Sequence, residues 1–125
     1  MSLRSPLARV RHLGSAKDGT GHWWMQRVTA IALVPLTVWF VAALLFHVGA
    51  GYEATAAWIG HPITGGLMIL LIVATFYHAV LGLQVVIEDY VHGEGKKIAA
   101  ILLIKFAGIL LGLAGVLAVL KTILA

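Results

Sequence analysis

Three long apolar stretches decide what this chain can become. They are Val28–Val48, Ile63–Ile87 and Ile98–Leu124. Each is long enough for a helix that crosses a hydrocarbon core of ~30 Å, which takes about 20 mainly apolar residues. Each is also too long to be the apolar core of a signal peptide. The composition agrees: 61% of the residues are hydrophobic and 11% charged, where a soluble domain carries roughly a quarter charged. So few charges cannot cover a water-soluble globule of 125 residues, and lipid must be the solvent for much of the surface. The chain is therefore expected to be an all-α membrane protein. Residues 27–125 form an anchor of three transmembrane helices, at about 28–48, 63–87 and 98–124, behind a polar, basic arm over 1–26.

Several kinds of chemistry fall away at once. The chain has no cysteine, so it offers no disulfide, no iron–sulfur ligand and no thiol nucleophile. No Gly-rich phosphate loop, zinc-ligand spacing or nucleophile elbow is present. The formal charge is +4, but the cations flank apolar spans instead of forming a stripe, so nucleic acid is not the expected partner.

The loops give an orientation. Arg4, Arg9, Arg11, Lys17 and Arg27 precede the first span, Lys96 and Lys97 lie between the second and third, and Gly49–Pro62 has neither Lys nor Arg. The positive-inside rule then puts the N-terminus and the second loop inside, and the first loop and C-terminus outside. Lys121 dissents, and its long stem can snorkel from the end of the third span. Trp23, Trp24 and Trp58 fall where interfacial aromatics belong. The arm is Arg-rich and poor in acids, as transit peptides are, but it runs straight into the first span and reads as a cytoplasmic segment. Pro35 removes a backbone donor inside the first span and is expected to bend it. Gly108, Gly112 and Gly115 share one face of the third span, which lets another helix approach closely.

Polar groups inside a span are expensive and need a reason. His78 lies near the middle of the second span. An imidazole in a core is usually a packed, hydrogen-bonded residue, but lipid supplies no partner for it, so packing and ligation stand about level. Gly82 sits one turn further on, nearly on the same face, and its missing side chain leaves room for a flat macrocycle. Val85 and Asp89 continue that face. A six-coordinate haem takes two axial ligands, and this chain has no second mid-span histidine. His47 ends the first span, while His22, His61 and His92 flank the spans. Any second ligand comes from another subunit. At the inner surface the second span closes with Glu88, Asp89 and Tyr90, and Arg27 opens the first span there. Arg27 and Asp89 can thus be neighbours. Glu88 reads as a solvated helix end, and Gln84 as an interhelical hydrogen-bonding residue. A polar pocket under the headgroups, with the Tyr90 hydroxyl facing a carbonyl, suits a quinone.

The segment His78-Ala79-x-x-Gly82-x-Gln84-x-x-x-x-Asp89-Tyr90 resembles the signature of the small hydrophobic membrane-anchor subunit of succinate dehydrogenase, respiratory complex II. A second match is Arg27-Val28-Thr29-Ala30-Ile31, preceded by His22-Trp23-Trp24-Met25-Gln26. The resemblance covers nearly all of the chain after residue 20. It implies that His78 is an axial ligand to a haem b shared with a larger cytochrome b anchor subunit, with Gly82 packing on the haem. It implies that Tyr90 hydrogen-bonds ubiquinone beside Asp89, and that Arg27 lies near both the quinone and the haem propionates. His22 corresponds to a propionate-contacting histidine. It implies further partners: a flavoprotein that oxidises succinate and an iron–sulfur subunit that relays electrons to the quinone. This chain would hold no catalytic residue of the dehydrogenation. A bacterial inner membrane is the expected location, ahead of the mitochondrial one.

Two other readings compete with this one. An anchor of another quinone-linked complex, such as a fumarate reductase, can stack two haems, but that takes four axial histidines on more helices than are present. A membrane scaffold without redox function would carry no haem band tied to this subunit.

Overall fold

The computed structural model describes residues 19–125. The basic residues Arg4, Arg9, Arg11 and Lys17 of the expected arm lie outside them. The described residues form four helices: α1 (Gly19–His47), α2 (Gly51–Gly60), α3 (Pro62–Tyr90) and α4 (Glu94–Leu124). α1, α3 and α4 are each long and apolar enough to cross a membrane.

Two boundaries differ from expectation. α1 begins at Gly19, not Val28, so residues 19–26 of the expected arm continue the first helix. The second loop shrinks to residues 91–93, because α4 already starts at Glu94. Gly93 caps it through its carbonyl, which accepts from Lys97 N at 2.8 Å, and Glu94 sits in the first turn where the helix dipole favours an anion. α1 runs unbroken through Pro35.

The first loop holds a helix of its own. Gly49 and Gly51 take φ of +83° and +82°, a region that side chains disfavour and glycine enters freely, and between them the chain turns from α1 into α2. α2 ends at His61, which is extended and turns the chain into α3. There His61 Nδ1 accepts from Ile63 N at 3.3 Å, and Pro62 takes the first helical position, where its missing N–H is no loss.

α3 is the central helix. It packs against α1 through one face and against α4 through another, and α2 lies across α3 and α4. His78 meets α1 while Val80, two residues on and about 200° around the helix, meets α4. The glycines of α4 do what their spacing predicts: Gly108 faces Val80, Gly112 faces Phe76 and Gly115 faces Ile72. Each lies where a side chain would press on α3 or merely touch it, so small residues set the helix separation. Little is buried within the chain itself. Met68, Val119 and Thr29 are the buried large or polar residues, while Val34, Leu45, Phe46, Leu103 and Leu110 turn outwards. Such a surface is stable in lipid or against other apolar helices, and not in water.

Candidate functional site

Start with the histidines, since each imidazole must find partners. His47 Nδ1 lies 2.8 Å from the Ala43 carbonyl, and the ring stacks on Trp58 at 4.2 Å between centroids; Trp39 flanks Trp58 at 6.2 Å. His61 caps α3. These two are structural. His78 differs in place: it lies mid-helix and its Nδ1 is 3.0 Å from Thr29 Oγ1 of another helix, α1; its other ring nitrogen, like those of His47 and His61, has no hydrogen-bond partner among the described residues. Thr29 is 7% exposed, so this contact is sealed between α1 and α3.

One turn along α3, Gly82 faces Gln26 of α1, whose side-chain nitrogen would lie 3.7 Å from an added Cβ. Two buried polar atoms near this end of α1, Gln26 Oε1 and His22 Nε2, have no hydrogen-bond partner among the described residues. A buried acceptor or donor without a partner costs about 1–3 kcal/mol, so an orphaned pair marks a place where something polar belongs.

The residues expected at a quinone do not come together: Gln26 faces Gly82 and Thr29 meets His78, which leaves Arg27 about two turns along α3 from Asp89 and Tyr90. Arg27 does not pair with Asp89. Its guanidinium stands over the Trp23 ring, 5.3 Å from the centroid, a cation–π contact within α1. The ion pair among the described residues is Lys97 Nζ with Glu94 Oε1 at 4.0 Å. Asp89 and Tyr90 are exposed, Tyr90 to 76%, and neither side chain has a partner among the described residues. Gln84 is not interhelical: its amide donates to Glu88 Oε1 at 2.9 Å on the same helix. Glu88 is exposed near the end of α3, and this bond lies within its own helix.

A cavity of about 800 Å³ opens between α1, α3 and α4, lined by His22, Phe76, Gln84, Lys105, Gly112 and Val116 among others. His78 is not one of its walls. Chemistry, not volume, therefore singles out the imidazole as the candidate ligand position. Sequence reasoning passes over three residues here. Lys105 is a cation inside the third span, which by itself is a signal. Thr29 is a polar residue early in the first. Gln26 gives no sequence signal, since its burial depends on how α1 lies on α3.

The comparisons with known proteins show the family. The family model described as succinate dehydrogenase/fumarate reductase transmembrane subunit matches residues 1–112. The succinate dehydrogenase hydrophobic membrane anchor subunit of Rickettsia bellii is 33% identical over 117 residues, 94% of each chain. That of Paracoccus denitrificans is 31% identical over 106 residues, 85% of this chain and 82% of its own. The succinate dehydrogenase membrane anchor subunit of Reclinomonas americana is 31% identical over 104 residues, 81% of this chain and 87% of its own. With three apolar helices, a mid-helix histidine at the α1–α3 contact and matches along nearly its whole length, the chain belongs to the succinate dehydrogenase/fumarate reductase transmembrane-subunit family, on its membrane-anchor branch.

Proposed function

We propose that this chain anchors a succinate–ubiquinone oxidoreductase in a bacterial inner membrane and supplies His78 as one axial ligand of a haem b. The observation that carries the haem reading is the contrast among the imidazoles. Each of the three has one ring nitrogen held, but His47 and His61 stand at helix ends, whereas His78 lies mid-span, is held from another helix, and turns its second nitrogen to a place where lipid offers nothing. The surroundings fit the group. Gly82 adds no side chain on that stretch of α3, and the orphaned His22 Nε2 and Gln26 Oε1 stand near the α1 end, where polar substituents would meet them. His78 would bind the iron, with Gly82 beside the ring and His22 and Arg27 towards the propionates. A haem held there supplies a one-electron carrier within the membrane. The second axial ligand belongs to a larger cytochrome b anchor subunit.

Quinone is handled at the Tyr90 end. Succinate oxidation in a flavoprotein subunit releases two electrons and two protons, and an iron–sulfur subunit carries the electrons to the membrane edge. Quinone takes up two electrons and two protons to become quinol. Tyr90 donates a hydrogen bond to a quinone carbonyl, Asp89 holds a proton route beside it, and Arg27 fixes the charge balance. The exposure of Tyr90 supports a pocket completed by the partner subunits. The Tyr90 end and the N-terminus face the inside, and the Trp58 end and the C-terminus the outside.

Purifying the complex through a tag on this chain tests the reading. A flavoprotein and an iron–sulfur protein are expected to come with it, with a reduced-minus-oxidised haem b band. His78→Ala removes or shifts that band, while His47→Ala leaves it in place. An unchanged band and an unchanged haem-to-protein ratio in His78→Ala would exclude His78 as the ligand.

A further inference from the structure

The contact between Thr29 and His78 fixes a protonation pattern as well as a position. A threonine hydroxyl has one proton to give and two lone pairs to accept with. Thr29 Oγ1 lies 2.7 Å from the Met25 carbonyl and 3.1 Å from the Gln26 carbonyl. Carbonyl oxygens only accept, so the hydroxyl proton points to that side. Towards His78 Nδ1, 3.0 Å away, the oxygen presents a lone pair. For that contact to be a hydrogen bond, Nδ1 must carry the hydrogen. A neutral imidazole has a single N–H, which leaves Nε2 as a bare lone pair, the form in which a metal takes it.

The opposite arrangement is worse on two counts. If Nδ1 were bare, Thr29 would have to withdraw its proton from Met25. Nε2 would then carry an N–H with no acceptor among the described residues, and a polar group left unpaired inside a span is costly. The doubly protonated ring suits the contact but places a charge inside a span and cannot bind a metal.

We infer that Thr29 is a positioning residue: its buried hydroxyl accepts from Nδ1–H of His78, so that Nε2 is held bare and aimed as a ligand. This deepens the haem reading above and rests on it. Ligating histidines commonly donate their second nitrogen to such a partner, which fixes the tautomer and raises the basicity of the ligand. A more basic ligand favours the ferric state, so losing the partner raises the midpoint potential of the haem.

The test compares Thr29→Val, which keeps the shape and removes the hydroxyl, with Thr29→Ser, which keeps the hydroxyl and removes the methyl. Both are made in the assembled complex beside His78→Ala. The readouts are haem-to-protein ratio under detergent dilution, the redox midpoint of the haem and the low-spin ferric electron paramagnetic resonance signal. Thr29→Val is expected to weaken haem retention by roughly 10- to 100-fold, to raise the midpoint and to move the signal, with Thr29→Ser close to the parent. Parent-like values in Thr29→Val overturn the inference, and so do equal shifts in valine and serine, which would make the methyl the important group. Should valine block assembly, Thr29→Ser and Thr29→Ala differ by the hydroxyl alone, and equal midpoints in those two overturn it equally. An unaltered haem in His78→Ala is a different outcome, since it removes the ligand itself and not its orientation.

Discussion

The two ends of the bundle are built to different standards of completeness. At the Trp58 end several polar and aromatic groups find partners within the chain: His47 on Ala43 and Trp58, His61 as a cap, Thr122 Oγ1 donating to the Ala118 carbonyl at 3.0 Å. Small residues let the elements close there, with Gly60 against Thr122 and Gly65 against Ile123. Towards the Tyr90 end the Arg27 guanidinium lies over an aromatic face, Asp89 and Tyr90 stand exposed, and His22 and Gln26 have atoms without a partner among the described residues. Buried polar atoms without a partner among the described residues stand towards one end and not the other. Unsatisfied groups are expensive, so the open end is where the fold expects other molecules. In the proposed complex these are the soluble subunits, the quinone and the edge of the haem.

The comparison breaks completely if the two ends face the wrong sides. A reporter that works only outside the cytoplasmic membrane is expected to be active when inserted between Gly49 and Gly51 or fused after Ala125, and silent at Gly93. The opposite pattern would put the open end away from a cytoplasmic dehydrogenase and end the proposed arrangement. The effect is all or none, which makes this the largest of the expected differences.

A smaller but graded effect is expected at Tyr90. Tyr90→Phe keeps the ring and deletes one hydroxyl. Losing one hydrogen bond to a neutral carbonyl is worth about 0.5–1.5 kcal/mol, roughly a two- to tenfold fall in quinone reduction. The loss approaches ~100-fold if the hydroxyl also delivers a proton. Succinate oxidation with a dye acceptor is expected to hold, because the dye takes electrons before the membrane edge. Equal loss of both activities would point to faulty assembly, and no loss of either would take Tyr90 out of the site. Arg27 and Asp89 substitutions are expected to share the Tyr90 pattern although their side chains do not meet in this chain, since a pocket completed by partners needs them only at one end.

How far sequence reaches follows the same division. The three spans are legible because lipid leaves the backbone one solution and the apolar runs advertise it. The glycine face of α4 is legible because helical spacing alone predicts it. His78 stands out by cost. The short α2 does not, since ten residues of mixed polarity carry too few turns for a period to separate helix from loop. The Thr29–His78 contact joins residues 49 apart, and only the register of α1 on α3 decides it. The Arg27–Asp89 pair fails for the same reason in reverse: a shared end is predictable from topology, while a shared contact is not. Lys105 is the case where the sequence does speak, as a cation well inside the third span, away from its ends.

The smallest expected effects lie at the closed end, and their signs are the useful part. Gly65 and Gly66 are neighbours near the start of α3, and they see opposite surroundings. A Cβ on Gly65 would stand 2.7 Å from Ile123 Cγ1 and 3.0 Å from the Ile59 carbonyl oxygen, whereas a Cβ on Gly66 meets nothing within 4 Å. Ile123 can swing its tip aside, but Ile59 offers backbone, which cannot. Gly65→Ala is therefore expected to destabilise by about 1–3 kcal/mol, the usual range for overpacking. Gly66→Ala relieves the entropy that glycine loses in a helix and is expected to be neutral or stabilising by at most about 1 kcal/mol. Thermal unfolding of the solubilised complex, followed by loss of helical signal, reads both. If the two alanines behave alike, α2 and the end of α4 are not locked onto α3 as tightly as the closed end requires, and the contrast with the Tyr90 end weakens. Opposite signs one residue apart would locate that lock at Gly65, with no help from the open end of the bundle.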